Sequence, residues 1–104
     1  MNMTKEVFLH YAKKGMKDFS GVYLDYQDLS EMDFSGFVFH GASFRKSNLA
    51  SCNFSGADLS CCNFHSAYLA SCNFAGANLT GTDLRCADIT NINLKGAILE
   101  NTIF

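Results

Sequence analysis

The stretch Ala50-Ser51-Cys52-Asn53-Phe54 returns, residue for residue, as Ala70-Ser71-Cys72-Asn73-Phe74, twenty positions further on. Stepping outward from Phe54 and Phe74 by five gives Phe19, Leu24, Leu29, Phe34, Phe39, Phe44, Leu49, Leu59, Phe64, Leu69, Leu79, Leu84, Ile89, Leu94, Leu99 and Phe104 without a break. Together these eighteen positions hold three quarters of the Phe, Leu and Ile in the 104-residue chain. A fixed short period marks a repeat architecture. A period of five is not the 3.6 of a helix.

Each fixed apolar residue is the centre of a pentad. Two residues before it sits a smaller one, such as Val22, Ala42, Cys52, Ala57, Cys62, Ala67, Cys72 or Ala77. Side chains two apart on an extended backbone share a face, so the two point inward together. The residue between them points outward, and it is mostly Asp or Asn: Asp18, Asp28, Asp33, Asn48, Asn53, Asp58, Asn63, Asn73, Asn78, Asp83, Asp88 and Asn93. The two residues after the centre are mostly Ser, Thr, Ala, Gly or charged, which is turn chemistry. Each pentad therefore reads as a very short strand and a corner. Strands and corners that repeat must wind into a coil, and successive coils hydrogen-bond as parallel strands do. The twenty-residue return of Ala50–Phe54 favours four pentads per coil.

Gly56-Ala57-Asp58-Leu59-Ser60, Gly76-Ala77-Asn78-Leu79-Thr80 and the run Asn78 to Asp88 resemble the pentapeptide-repeat family, whose motif is Ala-(Asp/Asn)-Leu-x-x. The resemblance covers residues 17–104 and implies an all-β solenoid, a right-handed quadrilateral β-helix. At four pentads per coil, about four and a half coils at ~4.8 Å each make a rod about 22 Å long. The departures are Lys17 and Gln27 at the small position, and Tyr23, Val38, Tyr68, Ile98 and Ile103 at the outward one.

Residues 1–16 do not follow the register. Thr4 is placed to cap a helix, Glu6 suits its first turn, and Gly15 follows Lys13 and Lys14 as a C-terminal stop. Val7, Phe8, Tyr11 and Ala12 share a stripe, so a helix near 4–14 is expected to cap the first coil. The domain division is thus 1–16 as capping helix and 17–104 as β-helix. No run reaches eighteen apolar residues, so no membrane span is expected. No apolar run follows basic residues near the start, so the expectation is no secretory signal and a cytoplasmic protein.

Five cysteines make an odd count. Cys52, Cys62 and Cys72 take the inward small position and read as buried hydrophobes. Cys61 and Cys86 fall at corners. A Cys52–Cys72 disulfide, one coil apart, is conceivable on distance, but a reducing compartment argues against it. Cys62 points inward and His65 outward, so no metal ligand set forms there. No cofactor and no metal are expected, and no catalytic residue. Asp58, Asp83 and Asp88 read as a surface ladder bonding its own corner backbone.

The function expected is a non-enzymatic protein–protein interaction or scaffold module. One corner column differs from the others: with four sides per coil Asp25, Arg45, His65 and Arg85 stack, with Tyr26 and Lys46 beside them. Arg45, Lys46, His65 and Arg85 are therefore candidate partner-binding residues. Ile98, Leu99, Ile103 and Phe104 are candidates for a homodimer interface at the C-terminal face. The alternative comes from the resemblance: some family members mimic duplex DNA and bind type II topoisomerases such as gyrase. DNA carries a charge every ~1.7 Å, so a 22 Å mimic needs about thirteen negative charges. Residues 18–104 carry nine carboxylates against four cations, a net of −5, so mimicry ranks second. Direct nucleic-acid binding is not expected.

Overall fold

In a computed structural model, described here over residues 2–104, every outward residue from Asp18 to Asp83 forms a parallel bridge to the outward residue twenty positions on. Asp33 pairs with Asn53, Asn53 with Asn73, and Asn73 with Asn93. The chain is therefore a solenoid whose coils each take four pentads, and its overall dimensions are 30 × 22 × 21 Å.

One pentad shows how five residues close. The N–H of Asn53 donates to the Met32 carbonyl of the coil before, at 2.9 Å. Those of Phe54 and Gly56 donate to Asn73 and Ala75 of the coil after, at 2.8 and 2.9 Å. Ala57 N–H closes the turn onto the Phe54 carbonyl at 3.0 Å. That leaves Ser55 N–H, which the Asn53 side-chain Oδ1 accepts at 2.9 Å. Every backbone donor in the pentad has a partner, which backbone burial demands. The outward Asp or Asn is thus the residue that completes the set.

The corners bend through a left-handed residue. From 21 to 101, every second residue after a centre has φ between 55° and 73°. Glycine fills seven of these corners and a side chain the other ten, Tyr26, Glu31 and Lys46 among them. At Gly81 the corner is also close-packed, since a Cβ there would stand 3.4 Å from Cys61 Sγ.

The inward positions fill the coil. Every centre from Phe19 to Leu84 is buried. Aromatic centres stack between coils, Phe54 on Phe74 at 5.4 Å and 3°, Phe44 on Phe64 at 5.2 Å and 8°. Such offset ring pairs add to simple burial.

Helix α1 (Lys5–Lys13) covers the first coil. Thr4 Oγ1 accepts from Val7 N–H, and Gly15 follows with φ +95°. Phe8 is wholly buried, its ring 4.6 Å from Phe19 and 5.5 Å from Phe34. The expected stripe needs correcting. Val7 and Tyr11 are nearly half exposed, and the face turned to the coil is Phe8 with Met3, Leu9 and Ala12 beside it. The helix has apolar residues on more than one side, so spacing alone named the wrong partners for Phe8. Two further ties fix the lid. Asn2 bridges to Tyr23, and Gln27 Oε1 accepts from Lys5 N–H at 3.1 Å.

Candidate functional site

The aspartates of the repeat are committed to the lattice. Asp58 Oδ1 accepts both the N–H and the hydroxyl of Ser60, at 3.0 and 2.6 Å. Asp88 does the same for Thr90. At Asp18 the Ser20 hydroxyl, then its N–H, holds the carboxyl below its ordinary range. Asp83 accepts from the Arg85 N–H and guanidinium, with an ion pair at 2.8 Å. The Arg85 side chain is the larger cause of its lowered pKa. His40 Nδ1 lies 2.7 Å from Ser60 Oγ, so even this exposed imidazole joins a ladder residue.

The inward thiols are committed too. Cys52, Cys62 and Cys72 donate to the carbonyls of Leu29, Phe39 and Leu49, at 3.0, 2.8 and 2.9 Å. Ser47 and Thr82 hold the same station with hydroxyls, bonding Leu24 and Leu59 at 2.6 and 2.7 Å. These polar residues at an inward position were the legible signal, because a buried hydroxyl must find a partner. All five cysteines are free, and Cys52 and Cys72 form no disulfide. Among the described residues no group of three metal-ligating side chains assembles.

The unusual corner column does stack. Tyr26 N–H donates to Arg45 carbonyl, Lys46 N–H to His65, and Ser66 N–H to Arg85, all at 3.0 to 3.1 Å. Its polar side chains differ in their surroundings. Arg85 is ion-paired with Asp83. His65 Nδ1 meets Ser66 Oγ at 2.9 Å and the residue is half-buried. Lys46 Nζ stands 5.7 Å over the Tyr26 ring. Asp25 has a job that spacing did not reveal: the outward residue of the next coil is Ser43, too short to reach its own corner. Asp25 supplies the acceptor instead, to Arg45 N–H at 2.9 Å and Ser43 Oγ at 2.5 Å. Tyr23 and Tyr68 are exposed on the faces either side of this column, and Tyr26 is 67% exposed on it.

The C-terminal face is the second candidate. Ile89, Ile98, Leu99, Ile103 and Phe104 are exposed, Phe104 by 59%. Leu99 and Phe104 continue the centre register but have no coil stacked on them among residues 2–104. No helix is long and apolar enough to cross a membrane.

A family model described as pentapeptide repeats matches the chain in eight copies, over residues 18–56, 38–74 and 62–101. No curated protein matches it. Among solved structures, a pentapeptide repeat protein of the Arabidopsis thaliana thylakoid lumen is 32% identical with a TM-score of 0.73. That match covers 78% of this chain and 57% of the other, so the chain spans little more than half of that protein's length. The pentapeptide repeat protein alr5209 of Nostoc PCC 7120 is 29% identical with a TM-score of 0.79, covering 93% of this chain and 75% of the other. QnrB1, a plasmid-mediated fluoroquinolone resistance protein, is 25% identical, covering 77% and 47%, but superposes only to a TM-score of 0.44.

Proposed function

The chain belongs to the pentapeptide-repeat family, and on that footing we propose that it is a non-enzymatic protein-binding module. Its β-helix is read as a right-handed, four-sided coil of about four and a half turns; the family resemblance supports the hand, and the twenty-residue spacing of the bridges supports the four sides. One observation carries the functional reading. The outward aspartates and asparagines and the inward thiols and hydroxyls of the repeat hold its backbone. What remains is surface: the Arg45, Lys46, His65 and Arg85 column, in which Arg45 and Lys46 have no carboxylate partner among the described residues, and the face of Ile98, Leu99, Ile103 and Phe104. Tyr and Arg are enriched where protein interfaces draw their energy, which favours the column for a protein partner. We assign the C-terminal face to a second copy. A twofold contact would cover the same patch on both partners. The 22 × 21 Å cross-section bounds it to roughly 460 Å² per copy, a small interface that forms at high concentration. Five free thiols fit a reducing compartment such as the cytoplasm.

The test is quantitative capture from the source cell. Tagged wild type is compared with a folded variant carrying Arg45→Glu, Lys46→Gly and Ile103→Asp. At least one protein enriched by wild type alone is the expected result. Identical profiles would sink the reading. Gyrase supercoiling is expected to be unaffected, because the acidity falls short of a duplex.

A further inference from the structure

Three of the four cations in residues 18–104, Arg45, Lys46 and Arg85, lie on one corner column. The other corner columns are built mainly from small residues. Residues 36, 56, 76 and 96 are glycine throughout, and 50, 51, 70 and 71 are alanine and serine. Long side chains are thus concentrated on one edge of the coil.

Tyr26 and Lys46 occupy the left-handed corner with φ 61° and 57°. That position strains a residue with a Cβ, and glycine takes it at seven other corners. Ten corners with a side chain share this conformation, and most of the others hold Ser, Cys or Asn, so it is the size and exposure of Tyr26 and Lys46, not the φ, that sets this edge apart.

The charges set the ligand. Asp25 is engaged with Ser43 and the Arg45 N–H, and Asp83 with Arg85. The Arg45 guanidinium and the Lys46 ammonium have no carboxylate partner among the described residues. Arg45 and Lys46 stand side by side with Arg85 two coils along the same edge, so the like charges repel, and a bound anion would relieve this. The column is a narrow edge two residues wide, and exposed Asp28 and Asp88 occupy the adjoining face. Those carboxylates repel a duplex or any wide polyphosphate, and leave room for a single acidic chain. Arg45 and Arg85 are two coils apart, about 10 Å, and an extended peptide places residues i and i+3 about 10 Å apart.

Resting on the protein-binding reading above, we infer that this edge binds an extended acidic segment of a partner protein. Glu or Asp at every third position would meet Arg45 and Arg85, with Tyr26 packing against the segment. Arg clusters reading acidic motifs are a known recognition mode.

Fluorescence anisotropy tests it on the intact protein. The probe is a labelled peptide of about four Glu-Gly-Ser triplets, with a Gln-Gly-Ser control and a single-stranded oligonucleotide of equal charge. Wild type should bind the Glu peptide over its Gln control, more weakly as salt rises. Arg45→Glu should weaken binding about tenfold. The double variant Tyr26→Gly, Lys46→Gly should bind more weakly yet melt higher than wild type, an opposition that a purely structural role cannot produce. No Glu-peptide binding, binding unchanged in both variants, or tighter binding of the oligonucleotide would overturn the inference. A partner captured through another face would leave the protein-binding reading standing while this one fell.

Discussion

The thiol of Cys62 donates to the backbone carbonyl of Phe39, 2.8 Å away in the preceding coil. The bond joins an inward small residue to a centre twenty-three positions earlier, and Thr82 makes the same bond to Leu59. Cysteine is therefore used here as a compact apolar group with one weak donor. Its reactivity is suppressed by the place it occupies.

Burial pushes the thiol of Cys52 up to about 11 and that of Cys72 to about 12, with Cys62 shifted in the same direction. A thiol reagent at pH 8 should modify exposed Cys61 and Cys86 first and leave the other three until unfolding. In the unfolded chain the buried thiols would ionise near 9.0. The folded state keeps its protons longer, so this stability is full below pH 9 and is lost as pH rises towards 11 and 12. Denaturant midpoints measured from pH 8 to 11 should fall, and fall less in Cys52→Ala, Cys72→Ala. Equal slopes in the two proteins would contradict the assignment.

Phe54→Ala should cost roughly 3–5 kcal/mol, because Phe34, Phe64 and Phe74 pack around it and cannot collapse into the gap. Phe104→Ala should cost less than about 1 kcal/mol, its ring being 59% exposed. Urea melts of the two variants check this, and similar midpoints would contradict the burial pattern.

Asn53→Ala leaves Ser55 N–H without its acceptor and should cost about 1 kcal/mol. Asn53→Asp keeps the acceptor and should stay near wild type. Amide hydrogen exchange at Ser55 should quicken in the first variant alone.

Glu31→Gly should stabilise the protein by up to about 1 kcal/mol, since φ is 62° there and the side chain is exposed. Gly56→Ala, at φ 66°, should do the reverse. Thermal melts moving in the same direction for both would contradict the left-handed corners.

A small end-to-end contact should appear as concentration-dependent mass by light scattering. Ile103→Asp should hold the protein monomeric at concentrations where wild type associates. A wild-type monomer throughout the range would remove the C-terminal face as a self-association surface.

The core was legible in the sequence because period five ties each side chain to one direction, and buried Phe54, Phe64, Cys52 and Cys62 lie where the register puts them. The lid was only half legible. Helical spacing groups Val7 and Tyr11 with Phe8, but which side of α1 faces the coil depends on the chain path through Asn2 and the Gln27 contact to Lys5. The stacking of Arg45 over His65 followed from arithmetic, whereas the pairing of Arg85 with Asp83 and the reach of Asp25 to the next coil did not. Those depend on rotamers and on Ser43 being too short for its own corner.

The bridge from Asn53 to Asn73 also limits how such a chain can change length. Inserting or removing twenty residues adds or deletes one storey and leaves every other column in place. Removing five turns all later residues by one side. Arg85 would then leave the edge of Arg45, and the Phe74 ring would no longer lie over Phe54. A gene encoding this protein can therefore grow or shrink by sixty nucleotides at little structural cost. A change of fifteen would keep the reading frame of the codons but re-sort the surface.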